Sequence, residues 1–252
     1  MRRAAHVLLV AAAVACGASP SQAQEFFPRF DFGLSGAYFV EEDSRFNWAF
    51  EFAGDLDVVD WTGGRATFVA AYEAIAGEEF RRFDVNQGNY LLEGVVVFRA
   101  GGVEIGPVWH HVSRHLSDRS KRPPIDWNML AFRARRTMPD DRDGLAWRAD
   151  VRRTITRAFV DYDWEVEGGA SLARRVSPRL VATASGGVRI VATDGSRERG
   201  TQAGGRLEGA IRTLGRRASA EVFAAFEQRV DPYPTAFGTG RWLTTGLRLR
   251  SR

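Results

Sequence analysis

Cysteine and long hydrophobic runs are nearly absent from this sequence of 252 residues. The single cysteine, Cys16, lies in an N-terminal stretch where Arg2 and Arg3 precede a short apolar run and the residues SQAQ. This pattern is typical of a secretory signal peptide that is cleaved after Ala23. We therefore expect residues 1–23 to be removed, which leaves a mature chain without a thiol or a disulfide.

The apolar run of residues 7–15 is too short to cross a bilayer as a helix, since a spanning helix needs about 20 residues, and no later segment approaches that length. Helical membrane insertion of the mature chain is therefore excluded. An alternative role for Cys16 is that of a lipid-modified first residue. The segment AVAC, however, lacks the leucine that usually stands three positions before such a cysteine.

The sequence also has only a small excess of basic over acidic residues. The formal net charge is +4, and loss of Arg2 and Arg3 with the leader lowers it to +2. A protein that neutralises many nucleic-acid phosphates needs a concentrated basic surplus. The near-balance of charge therefore argues against nucleic acid as a partner.

What the mature chain does contain is a series of segments in which apolar and polar residues alternate, the signal of β-strands. In RFNWAFEFAGD the alternation predicts one apolar face, formed by Phe46, Trp48, Phe50 and Phe52. In VDYDWEVE it predicts an apolar face and an acidic face on opposite sides of the strand. The apolar face consists of Val160, Tyr162, Trp164 and Val166, and the acidic face of Asp161, Asp163, Glu165 and Glu167. The apolar face is a core in a soluble sandwich and a lipid-facing surface in an outer-membrane barrel. Alternation alone leaves both folds open.

Three further features favour the barrel. The predicted strands have about ten residues or more, as tilted membrane strands require. Aromatic residues recur on the apolar faces, as in interface girdles, and short connections such as RAGG alternate with long ones such as QRVDPYPTAFGTG. We therefore predict an all-β protein with one domain, residues 24–252, that forms an antiparallel transmembrane β-barrel in the outer membrane of a Gram-negative-type bacterium.

The alternation predicts about twelve strands, and so many strands leave a narrow lumen that charged side chains can fill. The segment DVNQGNY, residues 84–90, is interpreted as a loop ahead of the fourth strand. The predicted strands cover residues 30–40, 45–59, 65–76, 89–99, 102–116, 126–136, 145–155, 158–167, 179–192, 201–212, 218–228 and 241–250.

The segment WHHVSRHLSD, residues 109–118, holds three of the four histidines and lies in the fifth predicted strand. If that strand starts at Gly102, the odd positions begin apolar and form the lipid face, which then includes His111 and Ser113. Pro107 is the one feature that could mark a bulge and reverse this parity. In the next strand, DWNMLAFRARR, Asp126 and Asn128 share parity with the apolar residues. Polar side chains of two strands are thus predicted to converge at the level of the outer-leaflet headgroups.

This arrangement suits nucleophilic acyl transfer. Residues two apart on a strand project to the same side, so Ser113 could give its proton to His111. Asn128 is the first choice and Asp126 the second choice for the group that orients the imidazole. A backbone N–H or Arg114 is considered as the donor to the oxyanion.

The run HVS, followed after a polar loop by WN and a strand rich in Leu, Phe and Arg, resembles outer membrane phospholipase A. The resemblance covers about 25 residues and implies a twelve-stranded barrel with His111 as base, Ser113 as nucleophile and Asn128 as orienting residue. It also implies phospholipid as substrate, calcium as a cofactor and a homodimer. Lipid A deacylases likewise use a His-x-Ser on a strand, and their acidic third member would correspond to Asp126.

Other interpretations remain open for these residues. The His-x-Ser segment could be a polar patch on a non-enzymatic barrel, structural or a narrow pore. His111 or His115 could bind a metal with a loop carboxylate such as Asp118, although residues four apart on a strand lie about 13 Å from each other, too far to share one zinc ion. Asp161, Asp163, Glu165 and Glu167 are interpreted as a solvated lumen face, with calcium binding as the alternative.

Overall fold

A computed structural model of the protein describes residues 24–41, 43–117, 119–120, 124–138 and 142–251. The predicted signal peptide, Cys16 and Asp118 lie outside these residues. The described part of the chain contains no helix long and apolar enough to cross a membrane. It forms the strands β1 (Gln24–Phe39), β2 (Trp48–Trp61), β3 (Gly64–Gly77), β4 (Asp84–Ala100), β5 (Val103–Leu116), β6 (Asp126–Arg136), β7 (Gly144–Ala158), β8 (Tyr162–Ser177), β9 (Leu180–Thr193), β10 (Gln202–Leu214), β11 (Ala218–Val230) and β12 (Thr239–Ser251).

Each strand pairs with its sequence neighbours, and β1 pairs with β12, so that the twelve strands close into one antiparallel barrel. Closure removes every sheet edge and satisfies the backbone hydrogen bonds without water, which is the condition for a sheet to span a bilayer. The prediction of an all-β, twelve-stranded antiparallel barrel is confirmed.

The connections at the two ends of the barrel differ in length. At one end, residues 62–63, 101–102, 178–179 and 215–217 make tight turns, and the longer connection 137–143 is the exception. The other end carries the segments 40–47, 78–83, 117–125, 194–201 and 231–238 and one short connection, 159–161. Bacterial barrels have short periplasmic turns and longer extracellular loops. We therefore call these the periplasmic end and the outer end.

The outer surface of the barrel is apolar. Outward-facing aromatic rings lie near both ends, with Tyr38, Trp48 and Trp109 near the outer end and Phe30 and Phe98 near the periplasmic end. These two groups correspond to the aromatic girdles of a membrane barrel.

The structure corrects two predicted faces. Phe46 precedes β2 and packs in a buried cluster with Phe39 and Trp242, because the chain turns inward over the outer end before the strand begins. Tyr162 is buried inside the barrel rather than exposed beside Trp164, because a register shift between these residues reverses the parity at the start of β8. The lipid-facing alternation of VDYDWEVE therefore holds only for its second half.

Several strands are longer than predicted, among them β1, which begins at Gln24 and not at residue 30, and the strands β4 and β8. The segment DVNQGNY is the first part of β4, not a loop, because it pairs with the end of β3 across the register shift at Ile75 and Ala76. β8 continues to Ser177, ten residues beyond its predicted end, through a stretch rich in small residues that masks the alternation.

Ion pairs line the lumen, and the most buried of them include those of β4, β6, β7 and β8. The guanidinium group of Arg133 binds the carboxylates of Glu93, at 2.8 and 3.0 Å, and of Asp150, at 2.7 and 3.0 Å. Asp150 also accepts a hydrogen bond from Arg152, which in turn pairs with Glu165. The charged residues predicted for a lumen face thus neutralise one another around the inner wall.

A loop closes the outer end of the lumen. Residues 231–238, here called the outer plug, connect β11 with β12, yet the carbonyl oxygens of Asp231 and Pro232 accept hydrogen bonds of 2.6 and 2.7 Å from Arg114 of β5. β5 and β11 lie six strands apart in a ring of twelve, on opposite walls. The outer plug therefore crosses the barrel mouth.

Cavities with volumes of about 840 and 990 Å³ lie among the described residues of the barrel interior beneath the outer plug. The first is lined by Arg114 and Tyr162 near the outer plug, and the second by Glu51 and Arg248 further toward the periplasm. Met138 contributes to the walls of both. The lumen is thus partly empty below its closed outer end.

Candidate functional site

β5 places its histidines on two different faces. His110 and Arg114 are buried in the lumen, whereas Trp109 and His115 are exposed on the outer surface. The register between β5 and β6 continues without a shift past Pro107, so Pro107 makes no bulge and the parity is not reversed. The predicted orientation of this strand toward lipid is correct.

His111 and Asn128 are directly opposite each other on β5 and β6, and His111 Nδ1 lies 3.0 Å from Asn128 Oδ1. Asn128 Nδ2 donates a hydrogen bond of 2.9 Å to Thr156 Oγ1 on β7. Because the amide nitrogen is engaged by Thr156, the amide oxygen faces the imidazole and accepts the proton of Nδ1. The lone pair of an uncharged His111 is then on Nε2.

Ser113 lies on the same face, between two histidines. Its Oγ is 3.0 Å from Nε2 of His115, and no described hydrogen bond joins it to His111. Residues at both i−2 and i+2 share the face of a strand residue, so rotation of one hydroxyl side chain selects between them. The structure therefore brings together His111 and Asn128 as predicted, but it pairs Ser113 with the following histidine instead of the preceding one.

Asp126 is the second choice for the group that orients the imidazole, and Arg114 is the side chain considered as oxyanion donor. The structure gives neither of them a described side-chain hydrogen bond to His111 or Ser113. Asp126 is the backbone partner of Ser113 on β6, and no described hydrogen bond joins its carboxylate to His111 or Ser113. Arg114 points into the lumen, where it binds the outer plug, because it has the opposite parity from Ser113. The suggestion that Arg114 donates to an oxyanion at Ser113 is therefore wrong.

Aromatic rings flank the two histidines. Trp109 stacks on His111 with 5.9 Å between ring centroids, and Tyr90 of β4 meets His115 edge-on at 5.3 Å. Sequence analysis missed Tyr90 and Thr156, since both come from neighbouring strands. Only the strand register, which pairs Tyr90 with Ser113 and Thr156 with Asn128, brings them to this face.

We refer to His111, Ser113, His115, Asn128 and Thr156 as the outer-face cluster. Metal ligation was an alternative for its histidines. The described residues contain no group of three or more His, Cys, Asp or Glu side chains that could hold a metal ion. The structure thus offers hydrogen-bonded side chains for acid–base chemistry on a surface that faces lipid.

The sequence matches no protein-family model and no curated protein. Among solved structures, the chain is similar to outer membrane phospholipase A from Escherichia coli, with a TM-score of 0.55 and 10% identity over 90% of this chain and 98% of that one. Omp33 of Acinetobacter baumannii gives a TM-score of 0.41 and 10% identity over 89% and 97% of the two chains. OprB of Pseudomonas putida gives 0.42 and 8% over 90% and 94%. The similarity to outer membrane phospholipase A together with the closed barrel identifies the fold as a twelve-stranded β-barrel of the outer-membrane type.

Proposed function

We propose that this protein is a serine acyl hydrolase that cleaves ester bonds of phospholipid or lipid A in the outer leaflet. The observation that carries the proposal is the hydrogen-bonded chain from Thr156 through Asn128 to His111, which lies on the lipid-facing side beside Ser113. The proposal is also supported by the similarity in fold to a phospholipase of the outer membrane.

The hydrogen-bonded chain suits His111 for the role of general base. An imidazole that donates from Nδ1 keeps its lone pair on Nε2, the atom that takes the proton of a serine in hydrolases of this type. Asn128 supplies a neutral acceptor for Nδ1–H, and Thr156 holds the amide in the required orientation.

The reaction follows from these positions. As Ser113 Oγ attacks the ester carbonyl carbon, its proton passes to His111 Nε2, and the resulting oxyanion collapses with release of the lipid alcohol, which takes the proton back. Water then attacks the acyl-serine, again losing a proton to His111, and the fatty acid leaves with Ser113 restored. Backbone N–H groups are the remaining choice for oxyanion donors, since Arg114 points into the lumen.

In this proposal, His115 is the hydrogen-bond partner of Ser113 before the reaction begins. The Ser113 hydroxyl forms its hydrogen bond with His115, and one rotation about the Cα–Cβ bond redirects it toward His111. Asn128 is preferred to Asp126 as the orienting group because Asn128 already contacts the imidazole.

The test is an assay of fatty acid release by the refolded mature protein in detergent, with phosphatidylethanolamine and lipid A as separate substrates. We expect release from one of the two lipids, with or without added calcium, and loss of release in Ser113→Ala. Ser120→Ala, an exposed serine in the connection to β6, is the matched control and should retain full activity.

The heat-dependent shift in gel mobility shows that each variant is folded as a barrel. A folded wild-type protein that releases no fatty acid from either lipid, with calcium and with chelator, would contradict the proposal. Equal activities of Ser113→Ala and wild type would contradict it as well.

A further inference from the structure

Four exposed arginines lie together at the periplasmic end of the barrel, away from the outer-face cluster. Arg174 is near the end of β8, Arg179 is in the β8–β9 turn, and Arg216 and Arg217 are in the β10–β11 turn. The two turns are in contact, since the backbone N–H of Leu214 donates a hydrogen bond of 2.8 Å to the carbonyl of Arg179. We call these four residues the arginine rim.

Among the described residues, the acids nearest the arginine rim are bound by other groups, and Asp143 of the β6–β7 connection accepts a hydrogen bond of 2.6 Å from the backbone N–H of Arg175. From Gly168 to Leu207 the only acids are Asp194 and Glu198, and both lie in the connection at the outer end. Further along, Glu208 and Glu221 are bound by arginines inside the lumen. Within the described residues, no carboxylate is in ion-pair distance of the four guanidinium groups of the rim.

An apolar surface adjoins the arginine rim on the membrane side. Leu172 and Val176 flank Arg174 with the same outward parity, and Ile211 and Leu180 extend this surface over the neighbouring strands. All four apolar side chains are more than one third exposed, at 55%, 66%, 52% and 37%. A lipid whose chains lie on this surface would have its headgroup at the level of the arginines.

We propose that the arginine rim binds the phosphate groups of anionic glycerophospholipids in the periplasmic leaflet. The argument is charge complementarity at a fixed depth: arginine guanidinium groups bind phosphate oxygens in a fork geometry, and these four lie where headgroups begin. Basic clusters next to membrane-spanning segments attract anionic lipid in this way. The proposal is independent of lipid hydrolysis at the outer-face cluster.

The experiment is native mass spectrometry of the full mature protein in micelles doped with phosphatidylglycerol, phosphatidylcholine or lipid A. We expect the wild type to retain phosphatidylglycerol in preference to phosphatidylcholine. The variant Arg174→Gln/Arg179→Gln/Arg216→Gln should bind phosphatidylglycerol more weakly, by on the order of 10- to 100-fold. The lysine variant at these three positions should restore most of the preference.

The matched control is Arg81→Gln/Arg82→Gln/Arg241→Gln, which removes three exposed arginines at the outer end. This control should keep the preference for phosphatidylglycerol. Equal retention of phosphatidylglycerol and phosphatidylcholine by the wild type, or the same loss in both glutamine variants, would overturn the proposal. A rim variant that loses only lipid A would overturn it too, because lipid A belongs to the other leaflet.

Discussion

Asn128 is the residue on which the orientation of the outer-face cluster depends. Its amide spans β5 and β7, with Oδ1 on His111 and Nδ2 on Thr156. An amide side chain that has only one of these partners can flip, and the nitrogen would then face Nδ1 of His111. Thr156 thereby anchors the amide, and with Oδ1 directed at Nδ1 of His111 the lone pair of the imidazole is on Nε2.

This dependence gives a prediction for Thr156, a positioning residue. Thr156→Ala should lower kcat for fatty acid release about tenfold, which corresponds to the loss of one hydrogen bond in the transition state, and leave KM nearly unchanged. Thr156→Ser keeps the hydroxyl group and should restore kcat. A steady-state assay of the three proteins checks the expectation, and a serine variant as slow as the alanine variant would contradict it.

The two histidines beside Ser113 are predicted to differ in their effect on activity. His111→Ala removes the proposed base and should lower kcat by about 1,000-fold or more. His115→Ala removes only the resting partner of Ser113 and should change kcat by less than about tenfold. Single-turnover release of labelled fatty acid measures both. The reverse order of the two effects would assign the base to His115.

Much of the outer-face cluster could be predicted from the sequence because strand parity is a local property. His111, Ser113 and Asn128 were assigned to the lipid face from alternation alone, and the structure agrees. Thr156 could not be predicted, because its place beside Asn128 depends on the register of β6 with β7, which shifts at Met129. The hydrogen bond from Ser113 to His115 depends on a side-chain rotamer, and sequence patterns do not encode it.

Among the elements of the fold, the outer plug is the one held by the most concentrated set of charges. Arg199 binds Asp231 Oδ1 at 2.7 Å, Tyr162 donates to Asp231 Oδ2 at 2.7 Å, and the N–H of Gly238 donates to Oδ1 at 2.8 Å. Burial alone would raise the pKa of Asp231, but the hydrogen bonds from Arg199, Gly238 and Tyr162 outweigh burial and hold this pKa below its ordinary value. The carboxylate of Asp231 therefore stabilises the closed outer plug in its charged form.

The pH dependence of the outer plug follows from that pKa. A carboxylate with a lowered folded-state pKa contributes its stabilisation above the ordinary aspartate pKa of about 3.9, and the contribution is lost as the pH falls through the folded-state value. The protection factors of residues 231–238, in which the pH-dependent intrinsic exchange rate is divided out, should thus be constant from pH 8 to pH 5. Protection should decrease only below about pH 4.

The matched variant for this prediction is Asp231→Asn, which keeps the size of the side chain and removes its charge. It should show fast exchange of residues 231–238 already at pH 7, with unchanged exchange in β11 and β12. Loss of protection in the wild type near pH 6 would contradict the assignment to Asp231, as would full protection in the variant.

Strand boundaries are predictable at tight turns that contain glycine, but not at the tight turn 178–179, which has none, or where strands extend into the longer connections. The turns at residues 101–102 and 215–217 were identified correctly from their glycines. The start of β8 was not, because Phe159 adopts a positive φ of 69° and a register shift follows Tyr162. Both features depend on the packing of Tyr162 inside the barrel, which involves Trp127 of β6 and Asp231 of the outer plug.

At the scale of the whole molecule, the barrel is stabilised from inside by buried ion pairs. Arg133 is 2% exposed and its guanidinium group is shared between two carboxylates. Arg133→Met should lower the free energy of unfolding by about 3–5 kcal/mol, because Glu93 and Asp150 would be left buried with one cation fewer. Urea unfolding in phospholipid vesicles measures the change.

Arg148 provides the control for this prediction. It also pairs with Asp150 and with Glu167, but its side chain is 42% exposed to the lumen. Arg148→Met should therefore cost less than about 1 kcal/mol. Equal losses in the two variants would show that position within the lumen, and not burial of the charge, determines the cost.

The orientation of the outer-face cluster has a consequence for how molecules reach it. Its side chains lie on the convex wall of the barrel, while the lumen is closed at its outer mouth by residues 231–238. A lipid substrate therefore reaches Ser113 by lateral diffusion along the outer wall and not through the lumen. The occupancy of the site by a membrane-dissolved inhibitor is governed by the inhibitor's two-dimensional density among the lipids, so that dilution with inert detergent weakens the inhibitor even when its total concentration in the sample is constant.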